Sequence, residues 1–180
     1  MEENRMRTVR VGLLPLYIKL YDDIDPDARG GVEAFLNEAA GELEKRGLDV
    51  VKAPVCRIRD EFAEAVEKFE IRGVDALVTL HLAYSPSLES VYAVAASKLP
   101  VIVFDTTREY DFSPGQSPDE ITYNHGIHGV QDFCNMLIRL HKPFLIEAGH
   151  LFRSDVADRV AALACGCAIA SASAPAGAAP

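Results

Sequence analysis

Short apolar runs alternate with longer helical patterns along most of this chain, and that alternation limits its fold more than any other feature. Each apolar run is four to eight residues long, and apolar residues recur at helical spacing between the runs. Strands separated by helices are typical of parallel sheets, because a parallel pair needs a long crossover connection. The predicted strands cover residues 9–16, 48–51, 76–82, 101–104 and 144–148.

Five strand–helix units predict an α/β protein with helices on both faces of one sheet. Right-handed crossovers leave a flavodoxin-like, Rossmann-like three-layer sandwich as the simplest arrangement. Its five-stranded parallel sheet is expected to have the order 2-1-3-4-5. Gly47 predicts the end of the first helix, and Ser154 predicts the amino-terminal cap of the last one.

The domain is expected to span residues 1–164. The sequence CGCAIASASAPAGAAP, residues 165–180, consists of small residues and proline with one isoleucine and has no charge. Such a composition predicts a disordered tail that cuts the last helix short, as truncation or a shifted reading frame would. Residues 106–123 are polar and contain Pro114, Gly115 and Pro118, which predicts a long loop.

The net charge of −9 and the pI near 5.0 argue against nucleic acid and membrane surfaces as partners, because both are anionic. The first ten residues are polar, and neither a signal peptide nor a membrane span is predicted. The cysteines lack a metal or redox spacing, so we expect free thiols and a cytoplasmic location. They are Cys56, Cys134, Cys165 and Cys167.

Ligands of open α/β sheets bind beyond the carboxyl ends of the strands, here called the carboxyl edge. Four of the five histidines are expected there, with Asn124 and several tyrosines. These side chains suit a polyhydroxylated ligand, because each can donate or accept a hydrogen bond. The polar and histidine residues assigned to this edge are Tyr17, Lys19, His81, Tyr84, Ser85, Asp105, Thr106, Thr107, Arg108, Asn124, His125, His128 and His150.

The residues leave several roles open. His125 and His128 are three apart and share a helix face, which suits a polar ligand, a metal ion, or simple capping and local packing. Asp105 either positions a ligand or accepts hydrogen bonds from the next loop. His81 lies in an apolar strand and is interpreted as a partly buried histidine with satisfied hydrogen bonds, and His141 is expected to face solvent.

Motifs for several reaction classes are absent from the sequence. There is no G-x-G-x-x-G after the first strand, no P-loop and no G-x-S-x-G nucleophile turn. The first turn, LPLYIKLYDD, also lacks the small hydroxyl and glycine residues that would hold a flavin phosphate. The sequence therefore predicts a binding edge without a complete catalytic centre.

The segment NHGIHGVQDFCNMLIR, residues 124–139, resembles the loop-and-helix signature of the L-fucose/L-arabinose isomerase superfamily. Further similarity to this family covers most of residues 9–163. Its other parts are VGLLPLYIKLYDD at 11–23, VDALVTLHLAYSPS at 74–87, KPFLIEAGH at 142–150 and SDVADRV at 154–160.

The resemblance implies the amino-terminal flavodoxin-like domain of an aldose–ketose isomerase of carbohydrate metabolism. Such enzymes are homo-oligomers that use Mn²⁺, with metal ligands in later domains, and act on a pentose or deoxyhexose. In the arabinose branch, the histidine matching His128 enters a neighbouring subunit's site. Substrate binding is accordingly expected for His128, His125, Asn124, Leu16 and Tyr17. We expect no catalytic residue, metal ligand or cofactor in this chain, which alone would be inactive.

Three other functions stay open at this stage. A free-standing sugar-binding or regulatory module would bind a sugar measurably by itself, whereas an isomerase fragment would bind weakly or not at all. A flavodoxin-like electron carrier would bind flavin. A structural oligomerisation domain would leave the histidines of the carboxyl edge without a ligand.

Overall fold

The computed structural model describes residues 7–111 and 113–173, and within them it confirms the predicted fold class. The sheet has five parallel strands in the order β2-β1-β3-β4-β5, as expected from right-handed crossovers. Each strand lies within one or two residues of its predicted position. The strands are β1 Arg10–Leu16, β2 Asp49–Lys52, β3 Ala76–His81, β4 Val101–Asp105 and β5 Phe144–Ala148.

The helices cover both faces of the sheet. They are α1 Lys19–Ile24, α2 Ala28–Lys45, α3 Arg59–Ile71, α4 Ser87–Ala96, α5 Ile121–Asn124, α6 Gly126–Arg139 and α7 Val156–Ser173. Two hydrophobic clusters form, one under α2 and α7 and one under α3, α4 and α6. Neighbouring residues of β1 divide between them, Leu13 in the first and Leu14 in the second, because successive strand side chains point to opposite faces.

The long helix α2 shows why the periodicity was informative. Its buried residues recur three and four apart and form an apolar stripe that includes Val32, Leu36 and Leu43. Gly47, with a φ of 82°, takes a left-handed conformation just past its end, as predicted for a stop signal. The stripe thus fixes which face of α2 packs on the sheet.

Helices form in the first turn after β1 and in the predicted loop 106–123. α1 follows β1 directly and buries none of its residues, so it offers no apolar stripe to detect. Within the predicted loop 106–123, Pro118–Glu120 forms a 3-10 helix and α5 begins at Ile121. The Ser117 hydroxyl accepts the Asp119 N–H, and Pro118 occupies the first turn, so ordinary capping explains this start.

The last helix corrects the predicted tail. Ser154 caps it as expected, because its hydroxyl accepts the Val156 N–H at 3.2 Å. The helix does not end near residue 164 but continues through Ser173, so the predicted disorder of residues 165–173 is wrong. Alanine has the highest helix propensity, and it sustains these turns although they bury little. Residues 174–180 of the predicted tail lie outside the described residues.

By length and composition, α7 is also apolar enough to cross a membrane, with a mean hydropathy of 1.4. The sequence analysis predicts no membrane span. A third of this segment is buried in the protein, and core helices of soluble proteins meet the same criterion. Val156, Val160 and Ala164 pack in the core cluster, so the feature is weak support for a membrane span.

Candidate functional site

A cleft of about 580 Å³ opens at the carboxyl edge, between residues 113–118 and the first turn of α6. Its walls combine two imidazoles with apolar and proline side chains. The residues that matter here are Pro114, Gln116, Ile121, His125, Ile127 and His128. The structure therefore brings the two predicted histidines into one concave surface.

His125 is held by two hydrogen bonds. Its Nδ1 bonds the carbonyl oxygen of Ile121, and its Nε2 lies 2.9 Å from the hydroxyl of Tyr21. A carbonyl oxygen only accepts, so Nδ1 carries the proton in the neutral ring and Nε2 accepts from Tyr21. Burial raises the pKa of Tyr21, and Tyr84 adds to the effect, so the hydroxyl stays a donor. His125 is therefore fixed in position and tautomer.

His128 is exposed and has a ring nitrogen available. Its Nδ1 lies 3.3 Å from the carbonyl oxygen of His125, and the two ring centroids are 6.2 Å apart. With Nδ1 as the donor, Nε2 of the neutral ring is left as an acceptor for a ligand hydroxyl. The two histidines therefore differ in their hydrogen bonding. His125 is held by the protein at both ring nitrogens, whereas Nε2 of His128 is available to a ligand.

Aromatic rings support the cleft from beneath. Tyr84 stacks against His125 with the centroids 6.4 Å apart and the planes at 9°. Tyr21 packs against the same imidazole at 5.8 Å and against Tyr17 at 5.9 Å. These contacts link the ends of β1 and β3 to the start of α6, so aromatic packing holds His125 in place relative to the sheet.

Asn124 lines the cleft and is held by two hydrogen bonds. Its amide oxygen accepts the backbone N–H of Glu109, and its amide nitrogen donates to the carbonyl oxygen of Glu120, both at 2.9 Å. The side chain is buried, and these bonds engage both its ends. Asn124 therefore ties the segment after β4 to α5.

Leu16 and Tyr17, also predicted to contact the substrate, are fully buried and do not line the cleft. α1 folds over the end of β1, and the Tyr17 ring is packed between Tyr21 and the guanidinium of Arg29 at 4.9 Å. Burial raises the pKa of Tyr17 to about 12, and its hydroxyl has no hydrogen-bond partner among the described residues. The structure therefore does not bring these two residues together with His125 and His128 in the cleft.

His81 lies under the start of α6. It is almost completely buried, where a partly buried histidine was predicted. Neither ring nitrogen finds a hydrogen-bond partner in the described part of the chain, so the prediction of satisfied hydrogen bonds is wrong. Burial lowers its pKa to about 3, against a smaller opposing effect of Asp132. The helix can approach this closely because Gly126 and Gly129 face His81 without a side chain.

The remaining predicted residues of the carboxyl edge lie outside the cleft. His150 packs against Tyr110 at 5.4 Å, and its Nδ1 accepts the Phe152 N–H. Burial raises the pKa of Asp105. His141 is exposed, as predicted, in a left-handed turn after α6.

The sequence did not predict the apolar wall of the cleft, formed by Ile121 and Ile127, or the tyrosine that holds His125. Both isoleucines have polar neighbours in the sequence, and Ile127 lies between the two histidines. Tyr21 lies in the helix that the sequence did not reveal. The sequence signal for this part of the cleft was the length of the polar segment 106–123, because loops that long in compact domains are often functional.

The resemblance places the Mn²⁺ ligands of the complete enzyme in later domains. Within residues 7–111 and 113–173, no three histidine, cysteine, aspartate or glutamate side chains lie close enough together to hold a metal ion. The cleft offers two imidazoles without a nearby carboxylate ligand.

Comparison with known proteins adds no assignment. No protein-family model matches the chain, and no curated protein matches it.

Proposed function

We propose that this chain provides a sugar-binding cleft as the amino-terminal domain of an aldose–ketose isomerase. The observation that supports it is the cleft itself, in which His125 is braced and His128 presents a free ring nitrogen. The segment that carries the family resemblance, residues 124–139, is the one that builds this wall. Sugar contact is thus proposed for His128 directly and for His125 at the cleft wall.

The chemistry of the cleft suits a monosaccharide. Nε2 of His128 can accept a hydrogen bond from a sugar hydroxyl. Gln116 lines the same cleft, and because its amide oxygen accepts the Ser113 N–H at 2.8 Å, its amide nitrogen is the group that can donate to a ligand. Ile121 and Ile127 give an apolar surface for the C–H face of a pentose or deoxyhexose. The metal and the proton-transferring groups of isomerisation would come from residues other than those described, in a homo-oligomeric complete enzyme.

Titration of the ¹⁵N-labelled chain with L-arabinose and L-fucose tests the proposal. We expect chemical-shift changes confined to residues 113–128, with a dissociation constant of about 1 mM or weaker, because the cleft is open on one side. His128→Ala should abolish the changes. His141→Asn is the matched control, since it removes an exposed histidine remote from the cleft while tolerating the left-handed turn.

The same preparation with Mn²⁺ should give no conversion of either sugar above a metal-free control. Shift changes elsewhere, or equal binding by His128→Ala, would contradict the assignment of the cleft. Binding near 1 μM by the chain alone would instead favour the free-standing sugar-binding module, because a partial pocket does not reach such affinity.

A further inference from the structure

A second cavity, of about 480 Å³, lies at the outer edge of the sheet and shares no residue with the cleft. We call it the edge groove. One wall is the extended segment 51–57, and the other is a stripe of α3 residues spaced three and four apart, namely Glu61, Glu64, Ala65, Lys68, Phe69 and Arg72. The stripe is about 16 Å long, which matches about five residues of extended chain. The groove therefore has the shape of one added strand.

The strand wall presents backbone groups that the sheet does not use. The Asp49 and Ala53 N–H groups donate to carbonyl oxygens of β1. Because the polar groups of a parallel strand alternate in direction, the N–H and C=O of Val50 and Lys52 point away from β1. No described strand pairs with β2 on that side, and no described residue bonds the backbone of Lys52 there. These groups are available to the backbone of a ligand.

The side chains of β2 leave this edge uncovered. A lysine on an outer strand often blocks pairing, but the Lys52 ammonium bonds Asn37 of α2 and so lies on the face of the sheet opposite to α3. Val51 points to the α3 face and packs in the hydrophobic cluster there. With Ala65 and Phe69 of the same cluster, it gives the groove an apolar floor.

The charges of the groove favour an anionic ligand. Both carboxylates that line it are paired with lining cations, in the pairs Glu61–Arg57 and Glu64–Lys68. The Arg72 guanidinium lines the groove without an ion-pair partner in the described part of the chain, and only its backbone oxygen is bonded. The net charge of the chain is −9, so the groove is a positive site on an acidic protein. An acidic ligand is attracted here and repelled by most of the remaining surface.

From the edge, the floor and the charge together, we infer that the edge groove binds an extended acidic peptide segment of a partner protein as a sixth strand beside β2. The peptide backbone bonds the outward N–H and C=O of Lys52. Its apolar side chains contact Ala65 and Phe69, and a carboxylate pairs with Arg72. In strand addition, main-chain hydrogen bonds provide affinity and side-chain contacts provide specificity. The inference is independent of the sugar-binding proposal, because the two sites share no residue.

Titration of the ¹⁵N-labelled full chain with a pentapeptide of alternating glutamate and valine, blocked at both ends, tests this site. We expect chemical-shift changes confined to residues 50–57 and 61–72, with a dissociation constant of about 0.1–1 mM at low salt. The same peptide with lysine in place of glutamate should bind the groove at least about tenfold more weakly. Equal shift changes in the groove with both peptides would overturn the inference.

Amide hydrogen exchange reports the backbone pairing directly. With the acidic peptide at about ten times its dissociation constant, the Lys52 N–H should exchange about tenfold more slowly, because it is then bonded in most molecules. The Val51 N–H points toward β1 and is the internal control, whose exchange should change little. Unchanged exchange at Lys52 would overturn the inference. So would a free chain that sediments as a dimer with Lys52 already protected, because a second copy would then occupy the edge.

Two matched variants test the charge. Arg72→Glu should weaken binding of the acidic peptide at least about tenfold, because it replaces the unpaired cation of the groove with a carboxylate. Arg139→Glu makes the same change at an exposed arginine that also lies at the end of a helix, α6, but remote from the groove. It should alter the dissociation constant by no more than about twofold. Equal effects of the two variants would show that overall charge, not the groove, attracts the peptide.

Discussion

At the scale of single residues, the carboxyl end of β3 holds a histidine that is buried without a hydrogen-bond partner among the described residues. Phe133 of α6 packs edge-on against the His81 ring at 5.6 Å, and Gly129 closes over it. A charged imidazole here would lose its hydration with only Asp132 to offset the loss. The core therefore tolerates His81 only in its neutral form.

This burial predicts acid sensitivity. The pKa of His81 falls from the ordinary 6.5 to about 3 on folding, so the unfolded chain binds more protons between these values. Stability is complete above about pH 6.5 and is lost as the pH falls toward 3. The loss from His81 between pH 7 and pH 5 should be about 2 kcal/mol.

Urea unfolding of the wild type and of His81→Leu at both pH values measures this contribution. The difference in unfolding free energy between pH 7 and pH 5 should be about 2 kcal/mol smaller in the variant. Carboxyl groups such as Asp105 titrate equally in both proteins and cancel. An identical pH dependence in the two proteins would show that His81 is hydrated or charged in the folded state.

At the scale of elements, α6 is seated on β3 through two glycines. A Cβ on Gly126 would lie 2.7 Å from the backbone oxygen of His81, and a Cβ on Gly129 would lie 2.7 Å from its Cδ2. Neither the strand backbone nor the packed ring can move away freely. These glycines set the height of α6 above the sheet and hence the position of the cleft histidines.

Alanine substitutions test that seating. Gly126→Ala and Gly129→Ala should each lower the unfolding free energy by about 1–3 kcal/mol, because the added methyl overpacks the contact. Gly166→Ala, in an open turn of α7, has no atom within 4 Å and should raise it by about 0.5–1 kcal/mol. Thermal unfolding of the three variants and the wild type measures these changes in stability. Stabilisation by all three would show that α6 lies farther from β3.

The short helix α1 is attached to the fold mainly by charge. Asp22 accepts hydrogen bonds from Arg29 of α2 and from Arg57 before α3. Although burial raises the pKa of Asp22, these two guanidinium groups outweigh it and hold the pKa below its ordinary range. Because α1 buries none of its own residues, this network and the Tyr21–His125 bond keep it over Tyr17.

Removing the charge should release α1 without unfolding the domain. Asp22→Asn should speed amide hydrogen exchange across Lys19–Ile24, with a local cost of about 1–2 kcal/mol. Asp23→Asn, which breaks only the exposed pair with Lys19, should change exchange there little. Exchange measured by mass spectrometry compares the two. Equal protection in both variants would assign the attachment to other contacts.

Sequence and structure agree best where packing is periodic. The strands and the larger helices follow from apolar spacing, and the strand order follows from the handedness of crossovers. α1 escaped prediction because it has no buried stripe, and the helical course of residues 165–173 escaped because composition was taken as disorder. His125 and His128 lie at the start of α6, and both line the cleft. The burial of Tyr17 could not be predicted, because a strand end alone does not show what covers it.

At the scale of the whole molecule, the first strand is a central one. Residues 11–16 of β1 are all buried, and both neighbours, β2 and β3, come later in the chain. On the ribosome, this apolar segment therefore emerges before either partner has been synthesised, and parallel pairing offers it no local hairpin. Both neighbouring strands of β1 are available only after β3, which ends at His81, has been synthesised. Chaperones that shield extended apolar segments consequently matter most for this fold during that interval.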